Sequence, residues 1–191
     1  RRCHAHRTAD SGGGYCRLPA DPTLARAALH FGEEPCLSGV RGSGAVFFSG
    51  CSLGCVFCQN DPISHGGLGE TVAPRRLAEI FRELTEAGAH NINLVNPTPH
   101  VPAIIRALEL YKPPVPIIYN TGGYDRVETL RALEGAVDVY LPDLKYMHGD
   151  IARRFSGAAD YFENASAAIL EMARQTGPME LDDEGLARRG T

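Results

Sequence analysis

From Ala45 onward the chain alternates short apolar runs with longer stretches in which apolar residues recur every three or four positions, the pattern of β-strands followed by amphipathic α-helices. The runs predict strands at 45–49, 92–95, 115–119 and 137–141. The periodic stretches predict helices at 74–87 and 101–111 and a third from Asp125 or Arg126 to Leu133. A last helical stretch covers 151–155 and 160–175, with Ile169, Leu170 and Met172 on one side, and a polar tail follows. Pro74 suits a first helical turn, and Gly88 and Gly135 suit helix ends. Strands and helices in alternation imply an α/β chain built on a parallel sheet. Residues 1–44 differ: they are rich in Gly, Pro, Cys and His and carry no sustained period beyond a helical patch at 23–30. The chain therefore divides into an irregular N-terminal arm, 1–44, with Cys3, Cys16 and Cys36, and an α/β unit, 45–191.

Composition narrows the function classes. With 191 residues, 43% hydrophobic content, 22% charged residues and a net charge of −4, the chain can bury a core. Its basic residues are scattered in pairs such as Arg75-Arg76 and Arg153-Arg154, so no nucleic-acid surface is expected. No apolar run reaches the roughly eighteen residues of a membrane span, and no secretory signal is expected, since the first residues are polar and basic with no apolar segment after them. Six cysteines, three of them within eight residues, suit metal binding in a reducing compartment better than a disulfide framework, so the expected location is cytoplasmic. The chain starts at Arg1 without a methionine and ends at Thr191 without a closing strand, which gives the expectation of a longer polypeptide with further units after Thr191.

The candidate chemistry lies directly after the first strand, in Cys51-Ser52-Leu53-Gly54-Cys55-Val56-Phe57-Cys58. Three thiolates spaced C-x3-C-x2-C can hold three irons of a four-iron cluster and leave the fourth open to a small molecule. Gly50 and Gly54 let the short loop fold back, and Phe57 brings an apolar aromatic to the cluster. The same triplet could supply three ligands of a structural zinc, with Cys36, Cys16 or a histidine as the fourth. In parallel α/β architectures ligands bind at the C-terminal ends of strands. The other informative segments fall at such ends: Asn96-Pro97-Thr98 after the second strand, Asn120-Thr121-Gly122-Gly123 after the third, and Asp143-Leu144-Lys145 after the fourth.

The cysteine loop resembles the C-x3-C-x-aromatic-C motif of the radical S-adenosylmethionine (SAM) superfamily, with Phe57 at the aromatic position. Stretches 33–39, 91–98, 119–125 and 138–145 resemble a subgroup related to pyruvate formate-lyase activating enzymes. The resemblance implies an open TIM-like (β/α)6 barrel, of which this chain supplies about four units. It implies a [4Fe-4S] cluster on Cys51, Cys55 and Cys58, with SAM bound at its open iron and cleaved by one electron to a 5′-deoxyadenosyl radical that abstracts a substrate hydrogen. Phe57, Asn96, Pro97, Thr98, Asn120, Thr121, Asp143, Leu144 and Lys145 become candidate SAM contacts, with Lys145 paired to the methionyl carboxylate. Asn96-Pro97-Thr98 stands where the family carries Gly-Gly-Glu. The family's monovalent cation near SAM would be held less strongly here, because Asn120 replaces a carboxylate. Implied partners are an electron donor such as flavodoxin or ferredoxin and a glycyl-radical enzyme as substrate. A non-catalytic iron–sulfur carrier or a zinc-stabilised binding module is the alternative.

Other features carry blander readings. Cys3 and Cys16, near His4 and His6, resemble the end of an N-terminal four-cysteine pattern and imply a second metal, although free thiols are the plainer reading. Cys36 is expected to pack under the cysteine loop as a small apolar residue. His65, His90, His100 and His148 read as surface or packing histidines. Gly66-Gly67-Leu68-Gly69 is expected to be a mobile segment able to lie over the site.

Overall fold

The computed structural model describes residues 6–8 and 12–191; Cys3 and His4 fall outside them. Strands β1 (Thr23–His30), β2 (Ser43–Phe48), β3 (Glu70–Thr71), β4 (Ile92–Val95), β5 (Ile117–Thr121) and β6 (Val139–Pro142) form one sheet in the order β3-β1-β2-β4-β5-β6. The ladders β2–β4, β4–β5 and β5–β6 are parallel, whereas β1 pairs antiparallel with both β2 and β3. Helices α1 (Pro35–Ser38), α2 (Asp61–Ser64), α3 (Pro74–Glu86), α4 (Val101–Leu110), α5 (Val127–Arg131), α6 (Gly149–Ser156) and α7 (Tyr161–Thr176) fill the connections. No helix among the described residues is long and apolar enough to cross a membrane.

The main core lies between the sheet and α3, α4, α5 and α7. Alternation along each strand sends Val46, Phe48, Ile92, Leu94, Ile117, Tyr119 and Tyr140 to the helical face. There they meet Leu77, Phe81 and Leu84 of α3, Ile104 and Ala107 of α4, Leu130 of α5 and Met172 of α7. Spacings of three and four put each helix's apolar residues on a single stripe. The opposite face is covered near the N-terminal ends of the strands by α1, whose Leu37 packs with Ile118, Val139 and Ala187. Asn91 fixes that plug by donating from Nδ2 to the Leu37 carbonyl at 2.7 Å and accepting from the Ser43 hydroxyl at 2.6 Å. Cys36 belongs to this cluster, at the far end of the strands from the cysteine loop, and not under the loop as expected.

Three further expectations need correction. The patch 23–30 is strand β1, because pairing with β2 from Leu24 to His30 outweighs the high helix propensity of its Ala and Leu residues. The glycine-rich stretch 66–69 leads into β3 at the sheet edge, where Leu68 N bonds to the Pro62 carbonyl, and it runs beside β1 instead of over the site. The polar tail folds into a hairpin of β7 (Glu180–Leu181) and β8 (Ala187–Arg189). It delivers Gly190 to β6 as a parallel bridge to Val139. Gly190 N donates to the Asp138 carbonyl, and Tyr140 N donates to the Gly190 carbonyl. Strand β4 coincides with its expected span, while β5 begins and ends two residues later than expected. Pro116 has no N–H to give, so it enters the ladder only through its carbonyl, which accepts from Ile92 N at 2.9 Å, and pairing with Val95 and Leu141 carries β5 on through Asn120.

Candidate functional site

A cleft of about 390 Å³ opens at the C-terminal ends of the parallel strands. Cys51, Cys55, Phe57 and Cys58 of the loop after β2 form one wall, together with Leu53 and Ser64. Asn96 beyond β4, Asn120 and Thr121 at the end of β5, and Asp143 and Lys145 beyond β6 form the other. Nine of the twelve residues picked from the sequence thus face one space. Thr98 faces an adjoining cleft of about 170 Å³ together with Arg7, Tyr15 and Cys16 of the arm. Pro97 precedes the 3-10 turn Thr98–His100, and Leu144 is 51% exposed outside the cleft.

The cysteine loop is anchored at both ends. Gly50 has a φ of +76°, and a Cβ there would meet Leu18, so glycine is required at the turn out of β2. His100, fully buried, donates from Nε2 to the Ser49 carbonyl at 2.9 Å and stacks on Phe48. Asn96, itself at a φ of +59°, donates from Nδ2 to the Gly50 carbonyl. On the far side, Gly54 N and Val56 N donate to the Ser156 and Phe155 carbonyls at 3.2 and 2.9 Å, tying the loop to the end of α6.

Each sulfur has a polar neighbour. Leu53 N donates to Cys51 Sγ at 3.4 Å, Ser64 Oγ lies 3.4 Å from Cys58 Sγ, and Ser156 Oγ donates to Cys55 Sγ at 2.8 Å. Burial, reinforced by Cys55 and Cys58 against the Leu53 hydrogen bond, pushes the Cys51 thiol up to about 11. In the metal-free protein that thiol is protonated at neutral pH, and a metal that binds it must displace the proton.

Opposite the cysteines, Lys145 Nζ pairs with Asp143 Oδ2 at 2.5 Å. Tyr161 holds this segment: its hydroxyl accepts from Lys145 N at 2.9 Å and lies 2.8 and 2.9 Å from the Gly122 and Asp143 carbonyls. Burial pushes that phenol up to about 12, so it remains a donor at neutral pH. Gly123, at a φ of +77°, brings its backbone so close that a Cβ would sit 2.3 Å from the Asp143 carbonyl oxygen. A Gly123→Ala change is expected to destabilise by about 1–2 kcal/mol in chemical denaturation, from the left-handed backbone alone, and to displace Asp143 and Lys145 from the cleft. Unchanged unfolding would show that the turn adapts.

Beneath the cleft lies a buried carboxylate, Asp125, which in the sequence marks a helix start and closes the stretch 119–125. Asp125 accepts from Thr121 Oγ1 at 2.6 Å and from Tyr119 OH at 2.9 Å, and Thr98 Oγ1 lies 3.2 Å from Thr121 Oγ1. Burial raises its pKa, while the hydrogen bonds from Thr121, Thr98 and Tyr119 pull the other way. Ser156, Tyr146 and Tyr161 were also missed, having no local motif to mark them. Of the histidines, His65 and His148 are exposed, whereas His90 and His100 are buried in packing roles.

The two metal readings ask for different placements of the sulfurs. A tetrahedral zinc with bonds of about 2.3 Å draws its sulfurs to within about 3.8 Å of one another. Among the described residues no three His, Cys, Asp or Glu side chains converge on a single-ion position. The three cysteines instead surround a shared cleft, which suits a body of several irons each taking one thiolate.

Three thiols in this spacing at the end of a parallel strand, facing polar groups from the next three strand ends, describe a cluster-binding α/β protein. The sequence profile of the radical SAM superfamily matches residues 45–178, and the chain belongs to that superfamily. Membership implies a [4Fe-4S] cluster and SAM as cofactors. An uncharacterised protein of Methanocaldococcus jannaschii is 33% identical over an alignment of 171 positions, and the match covers 85% of this chain and 48% of the relative. The chain thus spans about half the length of that relative.

Proposed function

We propose that this chain is the cluster- and SAM-binding part of a radical SAM enzyme with a partial TIM-like barrel, acting in the cytoplasm. Cys51, Cys55 and Cys58 would hold the cluster. Phe57, Asn96, Asn120, Thr121, Asp143 and Lys145 would contact SAM, with Pro97, Thr98 and Leu144 supporting them. The observation that carries the reading is that these three thiols and the residues beyond β4, β5 and β6 line one cleft. When bound, the cluster and SAM supply one-electron chemistry that ends in hydrogen abstraction from a substrate.

The chain's own residues bind, orient and shield. Lys145, held by Asp143, presents an ammonium to the methionyl carboxylate. Asn96 offers the carbonyl of its left-handed backbone to an amine, since its side-chain amide is committed to Gly50. Phe57, edge-on to Tyr146 with centroids 6.3 Å apart, screens the mouth. Asn120 and Thr121 could accept a monovalent cation, held weakly for want of a carboxylate at position 120.

The proposed substrate is a backbone glycine of a glycyl-radical enzyme, and the proposed donor is a flavodoxin or ferredoxin. Support for a protein partner comes from the exposed Val56, Phe57, Met147 and Ile151 beside the cysteines, with Arg153 and Arg154 exposed on the same helix as Ile151.

The deciding measurement is anaerobic reconstitution followed by iron and sulfide counts and product analysis. A brown protein that binds SAM and releases 5′-deoxyadenosine with methionine on reduction is the expected result. A reducible cluster that never cleaves SAM would favour the electron carrier, and a colourless protein with one zinc would favour the binding module. An organic radical appearing in a glycyl-radical enzyme only with this protein, SAM and reductant would establish the substrate class.

A further inference from the structure

The three cysteine sulfurs are not equivalent in their surroundings. Cys51 and Cys58 have neighbours at 3.4 Å, a backbone N–H and the Ser64 hydroxyl. Cys55, the most buried of the three, has the Ser156 hydroxyl at 2.8 Å. That hydroxyl is held from several sides. Ser156 is fully buried as the last residue of α6, before Gly157 at a φ of +63°. Its carbonyl and that of Phe155 take the N–H groups of Gly54 and Val56, which bracket Cys55. Its Oγ also lies 2.6 Å from the hydroxyl of Tyr146, whose ring stands edge-on to both Phe57 and Tyr161.

A serine hydroxyl has one proton. If it points to Cys55, then Tyr146 must donate to Ser156, and the two hydroxyls form a relay that ends on sulfur. A thiolate bound to iron can only accept, so metal binding enforces this direction. The relay reaches Cys55 from a helix about a hundred residues further along the chain, and the cysteine motif contains no sign of it.

We propose that Ser156, oriented by Tyr146, is a positioning residue that raises the electron affinity of the cluster through its hydrogen bond to Cys55. The inference rests on the reading of Cys51, Cys55 and Cys58 as cluster ligands. A donor aimed at a ligand sulfur stabilises the form with more negative charge, which is the reduced one. One electron from a low-potential donor reduces the cluster without breaking any bond at Cys55. Removing the hydroxyl therefore makes reduction harder while leaving all three thiolates in place.

The test is a mediated redox titration of the full chain, anaerobically reconstituted and free of SAM, with the reduced cluster followed by electron paramagnetic resonance. Ser156→Ala is expected to hold full iron and to lower the reduced-to-oxidised ratio at fixed potential roughly tenfold, about 59 mV for a one-electron couple. Ser156→Thr should restore the wild-type midpoint, and Tyr146→Phe should shift it in the same direction by less. A merely structural serine would alter stability or iron occupancy but not the midpoint. Full iron with a midpoint unchanged in Ser156→Ala overturns the proposal. Should Ser156→Ala fail to load, Tyr146→Phe decides, a lowered midpoint supporting the relay and an unchanged one overturning it. If the wild-type chain itself assembles no four-iron cluster, the ligand reading falls first and takes this inference with it.

Discussion

A Cys55→Ala chain, reconstituted anaerobically, is expected to retain less than about a tenth of the wild-type iron and to lose SAM cleavage by more than the roughly 10–100-fold typical of outer-sphere changes at metal centres. Cys55 is 8% exposed and packs with Leu53, Tyr146 and Tyr161, so the substitution also removes a buried sulfur from a small apolar cluster. That packing loss is on the order of 1 kcal/mol, too little to unfold a domain of this size. Circular dichroism and the denaturation midpoint should therefore stay near wild type while the colour is lost. Two remaining thiolates cannot hold a cluster that leaves one iron open by design. Cys36→Ala is the matched control, since that cysteine packs with Leu37 and Ile118 at the other end of the strands. It should keep both iron and colour. Iron retained by Cys55→Ala at the wild-type level would remove this cysteine from the ligand set, and loss of iron in Cys36→Ala would bring a fourth thiol into it.

The contrast between Cys55 and Ser156 shows which parts of the site a sequence can reveal. The cysteines are legible because their chemistry depends on local spacing, and the loop is flanked by a strand and two glycines that announce a turn. Asn96, Asn120, Asp143 and Lys145 are legible for a different reason: each follows an apolar run, and parallel sheets gather such ends on one edge. Ser156, Tyr146 and Tyr161 have neither sign. They reach the site only because α6 and α7 fold back across it, and that contact depends on the whole tertiary arrangement. Asp125 stands where the periodic pattern starts the third helix, yet α5 begins at Val127, and the carboxylate turns inward to Thr121 and Tyr119. Strand β1 failed for a related reason. Its Ala and Leu residues favour a helix, and antiparallel pairing with β2, a dozen residues away, makes it a strand. The strands and helices after β1 were legible to within about two residues at most ends, because burial of one face repeats at short range in each of them.

Acid should loosen the loop before it unfolds the rest, and His100 is the reason. The ring is fully buried, Nε2 donates to the Ser49 carbonyl, and Nδ1 has no hydrogen-bond partner among the described residues. A second proton would have to sit on that buried Nδ1 with nothing to receive it. Burial, with a smaller contribution from Arg7 and against the Ser49 hydrogen bond, accordingly lowers the pKa from 6.5 to about 4. The unfolded chain binds this proton more readily than the folded one. Stability is thus complete above pH 6.5 and declines as pH falls toward 4, by about 3 kcal/mol over the full interval. His90, also lowered by burial and by Arg41, adds to the same trend. The carboxylates with lowered values, Glu83, Asp160, Glu171 and Asp182, lose their contributions only below their ordinary range, so they act at lower pH. Urea midpoints measured between pH 7 and 4.5 should fall steeply in the wild type. In His100→Gln, whose amide can still donate to Ser49 but cannot titrate, the midpoint should start lower and fall less. Because Ser49 leads into Gly50 and Cys51, iron retention should weaken over the same interval in the wild type. Parallel slopes in the two proteins would assign the acid sensitivity to other groups and leave His100 a packing residue without a role in pH response.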